Sequence, residues 1–190
     1  KGEFGEDPPL IRQLKALILR GELRDAAHAC SVSTDRVVFM DLPFYEQGRY
    51  RRFKSTEADV EALVELLREH KPHQIYATGD AADPSSVSGL CFKVLTAALK
   101  VCAAEEWAGN CSIWLYRGKE KALEPHEIDM AIPLSPMQLE RKARALSRYG
   151  SLSSLELGSP ESNRQNARNY DALGLAEYEA IECFQKWRRI

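Results

Sequence analysis

Several features that would assign a protein class at once are missing from this sequence of 190 residues. No apolar run approaches the roughly 18 residues that a membrane-spanning helix needs. Lysine and arginine number 26 against 28 aspartates and glutamates, which gives a formal net charge of −2. This balance gives no support to a general nucleic-acid or membrane-surface binder, which would carry an excess of positive charge. Residues 1–9 hold no apolar core, so no signal peptide is predicted.

Paired cysteines are missing as well. The sequence has five cysteines at wide spacing and no CxxC pair, which excludes the zinc-ribbon and thioredoxin interpretations. Their neighbours are apolar, and this favours free, buried thiols in a reducing compartment and hence a cytoplasmic protein. The five are Cys30, Cys91, Cys102, Cys111 and Cys183.

Motifs for nucleotides and nucleophiles are also missing, because the sequence contains no GxSxG, Walker or GxGxxG pattern. The four histidines, at positions 28, 70, 73 and 126, have no metal-ligand spacing. His70 and His73 are three residues apart, but Pro72 between them marks a helix end. What remains is an ordinary globular composition, 44% hydrophobic and 28% charged, at a length that predicts one domain.

The apolar pattern predicts an α/β fold. Three short apolar stretches predict strands, because turn-forming residues flank each of them. They are residues 36–41, 73–78 and 111–116. Helical patterns separate these strands, so we expect a Rossmann-like parallel sheet flanked by helices, with right-handed crossovers. The predicted helices cover residues 10–19, 23–30, 55–70, 87–104, 137–149, 162–172 and 175–187.

The predicted fold is a single domain over residues 1–190 with a helical C-terminal part. Three strands are few for such a sheet, where about five or six are usual, and the first predicted element is a helix. We therefore expect the strands that normally open the sheet to be absent. Residues 1–9 are predicted to form a linker, and residues 150–162, rich in Ser and Gly, a mobile loop.

Candidate site residues follow the predicted strands, because ligands of open α/β sheets bind beyond the carboxyl ends of the strands. The segments concerned are 41–46, 79–88 and 116–118, which contain Asp41, Asp80, Asp83, Ser85, Ser88 and Arg117. A serine-rich helix start can hold an anion through backbone amides. The alternative is that Asp83 or Ser85 only caps the helix. Asp80 and Asp83 could ligate a hard metal, although two carboxylates without a histidine are a weak indication.

A basic stretch with interleaved aromatics, Arg49–Lys54, offers a further interpretation. Such a pattern suits a phosphate or RNA contact, or a loop that docks a protein partner. In a slightly acidic protein the alternative is a solvated loop, and we expect no nucleic-acid partner. The oligomeric state does not follow from the sequence.

Several short phrases of the sequence carry a resemblance to one family. The phrases are Asp41-Leu42-Pro43-Phe44-Tyr45-Glu46, Lys71-Pro72-His73-Gln74-Ile75-Tyr76-Ala77, Gly79-Asp80, Asp83-Pro84, Trp114-Leu115-Tyr116-Arg117, Ile132-Pro133-Leu134-Ser135-Pro136 and Tyr178-Glu179-Ala180-Ile181-Glu182. Together they resemble the LmbE-like (PIG-L-like) de-N-acetylases. The sequence is most similar to the LmbE-type domain that is fused behind a glucosamine-6-phosphate deaminase-like domain, and the resemblance runs from Ile11 to Lys186.

The resemblance implies a three-layer fold and a zinc hydrolase that removes acetyl groups from amino sugars, but the catalytic motifs are degenerate. The family's Pro-His-Pro-Asp-Asp motif, which supplies two zinc ligands and the general base, has no counterpart here. Its later His-x-x-His reads Ser85 and Ser88, and its His-Gln-Ser-Gln corresponds to residues 149–152. A neutral serine hydroxyl is a poor zinc ligand, so we expect no cofactor.

Three hypotheses follow. The first is a non-catalytic domain with a regulatory, scaffolding or sugar-phosphate-sensing role, whose remnant pocket contains the six candidate residues and whose ligand is an amino sugar or sugar phosphate. The second is a metal-dependent de-N-acetylase with zinc, completed by segments outside this sequence. The third is an interaction module that docks a protein partner through Arg49–Lys54.

Overall fold

A computed structural model describes residues 8–47, 54–78, 86–117, 123–150, 159–175 and 177–188. The chain divides into two compact units. Lys1–Phe39 and Pro133–Glu182 form the first, called here the helical unit. Met40–Ile132 and Cys183–Ile190 form the second, called here the sheet unit. The prediction of one domain over the whole chain stays a prediction.

Four strands form one sheet in the order β1-β2-β4-β3. They are β1 (Gln74–Thr78), β2 (Ser112–Tyr116), β3 (Met130–Leu134) and β4 (Ala180–Lys186). The first two are parallel and in register from Gln74 opposite Ser112 to Thr78 opposite Tyr116. The pairing of β2 with β4 is antiparallel, so the sheet is mixed rather than all parallel.

Three helices accompany the strands of the sheet unit: α2 (Glu57–His70), α3 (Val87–Val101) and α4 (Glu106–Asn110). Alternate residues of β2, Ile113 and Leu115, are buried and form a core with the apolar sides of α2 and α3. This alternation follows from the two-residue period of a strand, which sends every second side chain to the same face. The other core members are Val64, Leu67, Leu95, Ala98, Leu99, Cys102 and Ala108.

The helical unit contains α1 (Pro9–Ala29), α5 (Pro136–Leu146) and α6 (Pro160–Ala172). The start of α5 is fixed by a capping box, in which Ser135 Oγ accepts from the amide of Gln138 and Gln138 Oε1 accepts from the amide of Ser135. The predicted division into two helices, 10–19 and 23–30, is wrong, since α1 continues through Gly21. A glycine inside a helix costs only about 1 kcal/mol relative to alanine, which does not stop a helix of this length.

Two predicted elements, the strand at residues 36–41 and the helix at residues 175–187, are wrong. Residues 36–41 form no strand: Thr34–Arg36 is a short 3-10 helix, and the residues after it pair with no strand of the described segments. Residues 180–186 form β4 rather than a helix. Ala180, Ile181 and Phe184 are buried on both faces of the strand, so their spacing imitates one side of a helix.

Further differences are smaller. Strand β3 was not anticipated by the sequence pattern. Three of the free cysteines are buried as expected, but Cys30 is exposed and Cys91 is half-buried. Of the predicted mobile loop at residues 150–162, residues 151–158 lie outside the described residues, whereas α6 already begins at Pro160. Among the helices of the described segments, none combines the length and the apolarity needed to cross a bilayer.

Candidate ligand site at the carboxyl ends of the strands

The candidate residues follow β1 and β2 or come from segments near the start of α3. Arg117 directly follows β2, and Ser88 lies half-buried in the first turn of α3. Asp80, Asp83 and Ser85 lie outside the described residues, as do Arg49–Phe53 of the basic loop. The structure therefore gives the surroundings of Asp41, Ser88 and Arg117.

The start of α3 is capped by Ser86, not by Asp83 or Ser85. Its Oγ accepts a hydrogen bond of 3.0 Å from the amide of Gly89. A serine is a favoured N-cap because its side-chain oxygen satisfies a helix amide that has no partner within the helix. Ser88, two residues further along, lies in the first turn of the helix.

Asp41 begins a tight turn that packs on α3. Its backbone is left-handed, with φ of 46°, and Pro43–Gln47 then forms a 3-10 helix. Leu42 and Phe44 of this turn are buried against Leu90, the fourth residue of α3. The packing brings the Asp41 turn to the same end of α3 that carries Ser88.

A buried carboxylate, Asp59, fixes the turn to the start of α2. Its Oδ1 accepts a hydrogen bond of 3.0 Å from the amide of Phe44. Its Oδ2 accepts bonds of 2.6 Å and 2.8 Å from the amide and the hydroxyl of Thr56, which complete a capping box. Burial alone would raise the pKa of Asp59, but these hydrogen bonds outweigh it and hold the pKa below its usual value.

The hydroxyl of Tyr45 meets the thiol of Cys91 at 3.9 Å. Half of the Tyr45 surface is exposed, and its ring stacks on Phe44 with a centroid distance of 4.3 Å. Burial of the hydroxyl, with the neighbouring thiol, raises the pKa of Tyr45 to about 12. Burial also raises the pKa of Cys91. Both groups stay protonated at neutral pH and can act as neutral hydrogen-bond donors.

Arg117 is engaged in an ion pair. Its Nη2 lies 3.4 Å from Oε1 of Glu127, and about three quarters of each side chain is buried. Glu127 in turn accepts a bond of 3.0 Å from the amide of Glu124, so the short Pro125–Glu127 helix holds the partner in place. Arg117 supplies a fixed positive charge beyond the end of β2.

The described donors do not fit a zinc ion. Of the three described candidates only the Asp41 carboxylate is an ordinary zinc ligand, because Ser88 offers a neutral hydroxyl and Arg117 a guanidinium paired with Glu127. Zinc takes three N, O or S ligands from a protein, so this set is incomplete. Within the described segments, no group of three or more His, Cys, Asp or Glu side chains could hold a metal.

The sequence pattern did not single out Asp59, Cys91 or Glu127 as part of this region. The one sequence signal for Asp59 is the Thr56-x-x-Asp59 spacing of a capping box, whereas the predicted helix starts at Ser55. Cys91 and Glu127 are recognised only through contacts between segments distant in the chain.

Comparisons with known proteins support both the fold and the likeness. No family model matches the chain. It is 41% identical to a glucosamine-6-phosphate deaminase-like protein of Bacteroides thetaiotaomicron over 93% of its own length, but spans only 29% of that protein. This similarity agrees with the resemblance to glucosamine-6-phosphate deaminase-like proteins.

Three solved structures share the fold at low sequence identity. The first is the 4-carboxy-2-hydroxymuconate hydratase GalB of Pseudomonas putida, with a TM-score of 0.65 and 17% identity. The match covers all of this chain and 77% of that protein's chain. The second is the conserved protein TT1542 of Thermus thermophilus, with a TM-score of 0.57 and 14% identity. The match covers 98% of this chain and 81% of that protein's chain. The third is the N,N'-diacetylchitobiose deacetylase of Pyrococcus horikoshii, with a TM-score of 0.53 and 13% identity. The match covers 90% of this chain and 64% of that protein's chain. The predicted α/β class with flanking helices is confirmed.

Proposed function

We propose that this chain is a non-catalytic LmbE-like domain that binds an amino sugar or sugar phosphate and regulates or scaffolds a larger glucosamine-6-phosphate deaminase-like protein in the cytoplasm. The observation that carries the proposal is Ser88. It stands in the first turn of α3, where the resemblance places a histidine, and its hydroxyl cannot replace an imidazole on zinc. In the sequence, Ser85 likewise stands where the resemblance places the other histidine of the His-x-x-His motif.

The pocket of the proposal combines the candidate residues of the sheet's carboxyl edge. Arg117 offers positive charge to a phosphate, and Ser88 offers a hydroxyl at a helix start, where backbone amides favour anions. Carboxylates at Asp41, Asp80 and Asp83 would accept hydrogen bonds from sugar hydroxyls or an ammonium group. The 41% identity to a glucosamine-6-phosphate deaminase-like protein supports a ligand of this class.

Metal content and binding test the proposal together. We expect the purified chain to contain no stoichiometric zinc by elemental analysis, and to release no acetate from N-acetylglucosamine 6-phosphate. Calorimetric titration with glucosamine 6-phosphate should show binding that Asp41→Asn and Ser88→Ala weaken. Asn is chosen at position 41 because it tolerates the left-handed backbone there. Stoichiometric zinc with acetate release would overturn the proposal, as would binding unchanged in both variants.

A second candidate function is a metal-dependent de-N-acetylase completed by segments outside this sequence. The shared fold with the diacetylchitobiose deacetylase favours it. Its test uses the full-length protein that contains this chain: zinc-dependent acetate release, abolished by chelation and restored by zinc, would support it. Absence of turnover in full-length protein loaded with zinc would exclude it.

A further inference from the structure

A cleft of about 690 Å³ lies at the opposite ends of the strands from the candidate site. One wall is the connection Lys71–His73, directly before β1, and the other is formed by residues 105–110, directly before β2. Because β1 and β2 are parallel, both walls lie at the amino ends of the strands. Five-residue strands at about 3.3 Å per residue separate this cleft from the carboxyl edge.

The indole of Trp107 in this cleft is held in place before any ligand arrives. Its Nε1 donates a hydrogen bond of 2.7 Å to Oε2 of Glu105. Oε1 of the same carboxylate accepts a bond of 2.8 Å from Nε of Arg68 on α2. Trp107 also packs against the core of the sheet unit. A ring restrained in this way loses little freedom on binding, which favours a ligand that stacks on it.

The opposite wall is restrained as well. Lys71 ends α2 in the left-handed conformation, with φ of 43°, and its amide bonds to the carbonyl of Leu67 at 2.8 Å. The carbonyl of His73 accepts a bond of 2.9 Å from the amide of Ser112, which ties this wall to β2. Between them, Pro72 adds an apolar surface.

The two walls carry opposite charges. Lys71 and the imidazole of His73 lie on one, and the exposed Glu106 carboxylate with the Asn110 amide lies on the other. Lys and His bind phosphate groups, whereas carboxylate and amide groups suit an ammonium and hydroxyls. The volume falls within the range of about 300–1,000 Å³ that is usual for small-ligand sites.

We propose that this cleft is a second binding site, for a sugar that carries both an amine and a phosphate. The sugar ring stacks on Trp107, the amine meets Glu106, and the phosphate meets Lys71 and His73. The proposal goes beyond the function proposed above, since it uses no residue of the carboxyl edge.

The test uses the side-chain N–H signals of the three tryptophans in the nuclear magnetic resonance spectrum of the chain. We expect glucosamine 6-phosphate to shift the signal of Trp107, assigned with Trp107→Phe. Glucose 6-phosphate lacks the amine and glucosamine lacks the phosphate, so each should bind at least about tenfold more weakly, as expected for loss of one charge-assisted hydrogen bond.

Three variants sharpen the test. Lys71→Asn removes a charge while tolerating the left-handed backbone, and Glu106→Gln removes the opposing charge, so each should weaken binding about tenfold or more. Glu140→Gln, on an exposed position of α5, is the matched control and should change nothing. An unmoved Trp107 signal, unchanged affinity in both charge variants, or stronger binding of adenosine monophosphate would overturn the proposal.

The two proposed sites can be tested independently of each other. Ser88→Ala should leave the Trp107 shift and its titration midpoint unchanged, because Ser88 belongs to the carboxyl edge. A Trp107 response lost in Ser88→Ala would contradict an independent second site. A Trp107 response without any binding that depends on Asp41 or Ser88 would overturn only the function proposed for the carboxyl edge.

Discussion

The backbone amide of Phe44 donates a hydrogen bond of 3.0 Å to Oδ1 of Asp59, a buried carboxylate fifteen positions further along the chain. This one side chain joins the turn that begins at Asp41 to the first turn of α2. The position of the turn at the candidate site therefore depends on a residue that no ligand needs to touch.

Replacing Asp59 should destabilise the protein strongly. Asp59→Ala leaves the amides of Phe44 and Thr56 without their acceptor and removes the capping box, for an expected loss of about 2–4 kcal/mol in the free energy of unfolding. Urea denaturation followed by circular dichroism measures it. Glu61→Gln, at an exposed position of the same helix, is the control and should change the value by under about 0.5 kcal/mol. Equal stability of the two variants would contradict the assigned role.

The same carboxylate predicts a pH dependence. The pKa of Asp59 is lower in the folded protein than its ordinary value of 3.8, so its charged form stabilises the fold. That stabilisation is complete above the unfolded pKa and is lost as the pH falls through the folded pKa. The difference in unfolding free energy between wild type and Asp59→Asn should be constant from pH 7 to pH 5 and shrink below about pH 4. A difference that grows towards low pH would show the opposite sign.

Tyr45 should titrate late. Its pKa is raised to about 12, so the ultraviolet difference spectrum between wild type and Tyr45→Phe should show ionisation well above pH 10. Cys91→Ala should bring the pKa of Tyr45 down, because the thiol no longer opposes the charge, while burial remains. The stabilisation from the protonated hydroxyl is present below the unfolded pKa of about 10 and is lost as the pH rises beyond it. Ionisation of Tyr45 near pH 10 in wild type would refute this assignment.

Replacing two glycines by alanine should change the stability of the protein in opposite directions. An added Cβ at Gly21, inside α1, meets no heavy atom within 4 Å, so Gly21→Ala should stabilise the chain by about 0.5–1 kcal/mol. Gly174 is left-handed with φ of 68°, and Gly174→Ala should destabilise by about 1 kcal/mol through backbone strain alone. Thermal unfolding of both variants provides the comparison, and a change of the same sign in both would contradict the backbone argument.

Local patterns in the sequence predicted the centre of the fold well. The expected strands 73–78 and 111–116 differ from β1 and β2 by one residue, and the helix expected at 55–70 begins two residues later. In these elements the apolar spacing and the actual burial agree. The sequence pattern predicts a helix in place of strand β4, because burial of both its faces removes the alternation that identifies a half-buried strand.

The candidate site was less accessible to sequence reasoning. Position at the strand ends identified Arg117, and the likeness to a family identified Ser88. Neither approach could find the bond from Phe44 to Asp59 or the contact of Tyr45 with Cys91. Such contacts join segments that are distant in the chain, and the residue types involved occur equally in ordinary caps and cores.

The register of the sheet has a consequence for the order in which the chain folds. Gln74 of β1 pairs with Ser112 of β2 only 38 positions later, with α3 between them. The partner of Trp114 on β4 is Lys186, which lies 72 positions further along the chain. Closing the longer loop costs more entropy before its contacts form, so the β1–α3–β2 segment is the expected nucleus and β4 joins it later.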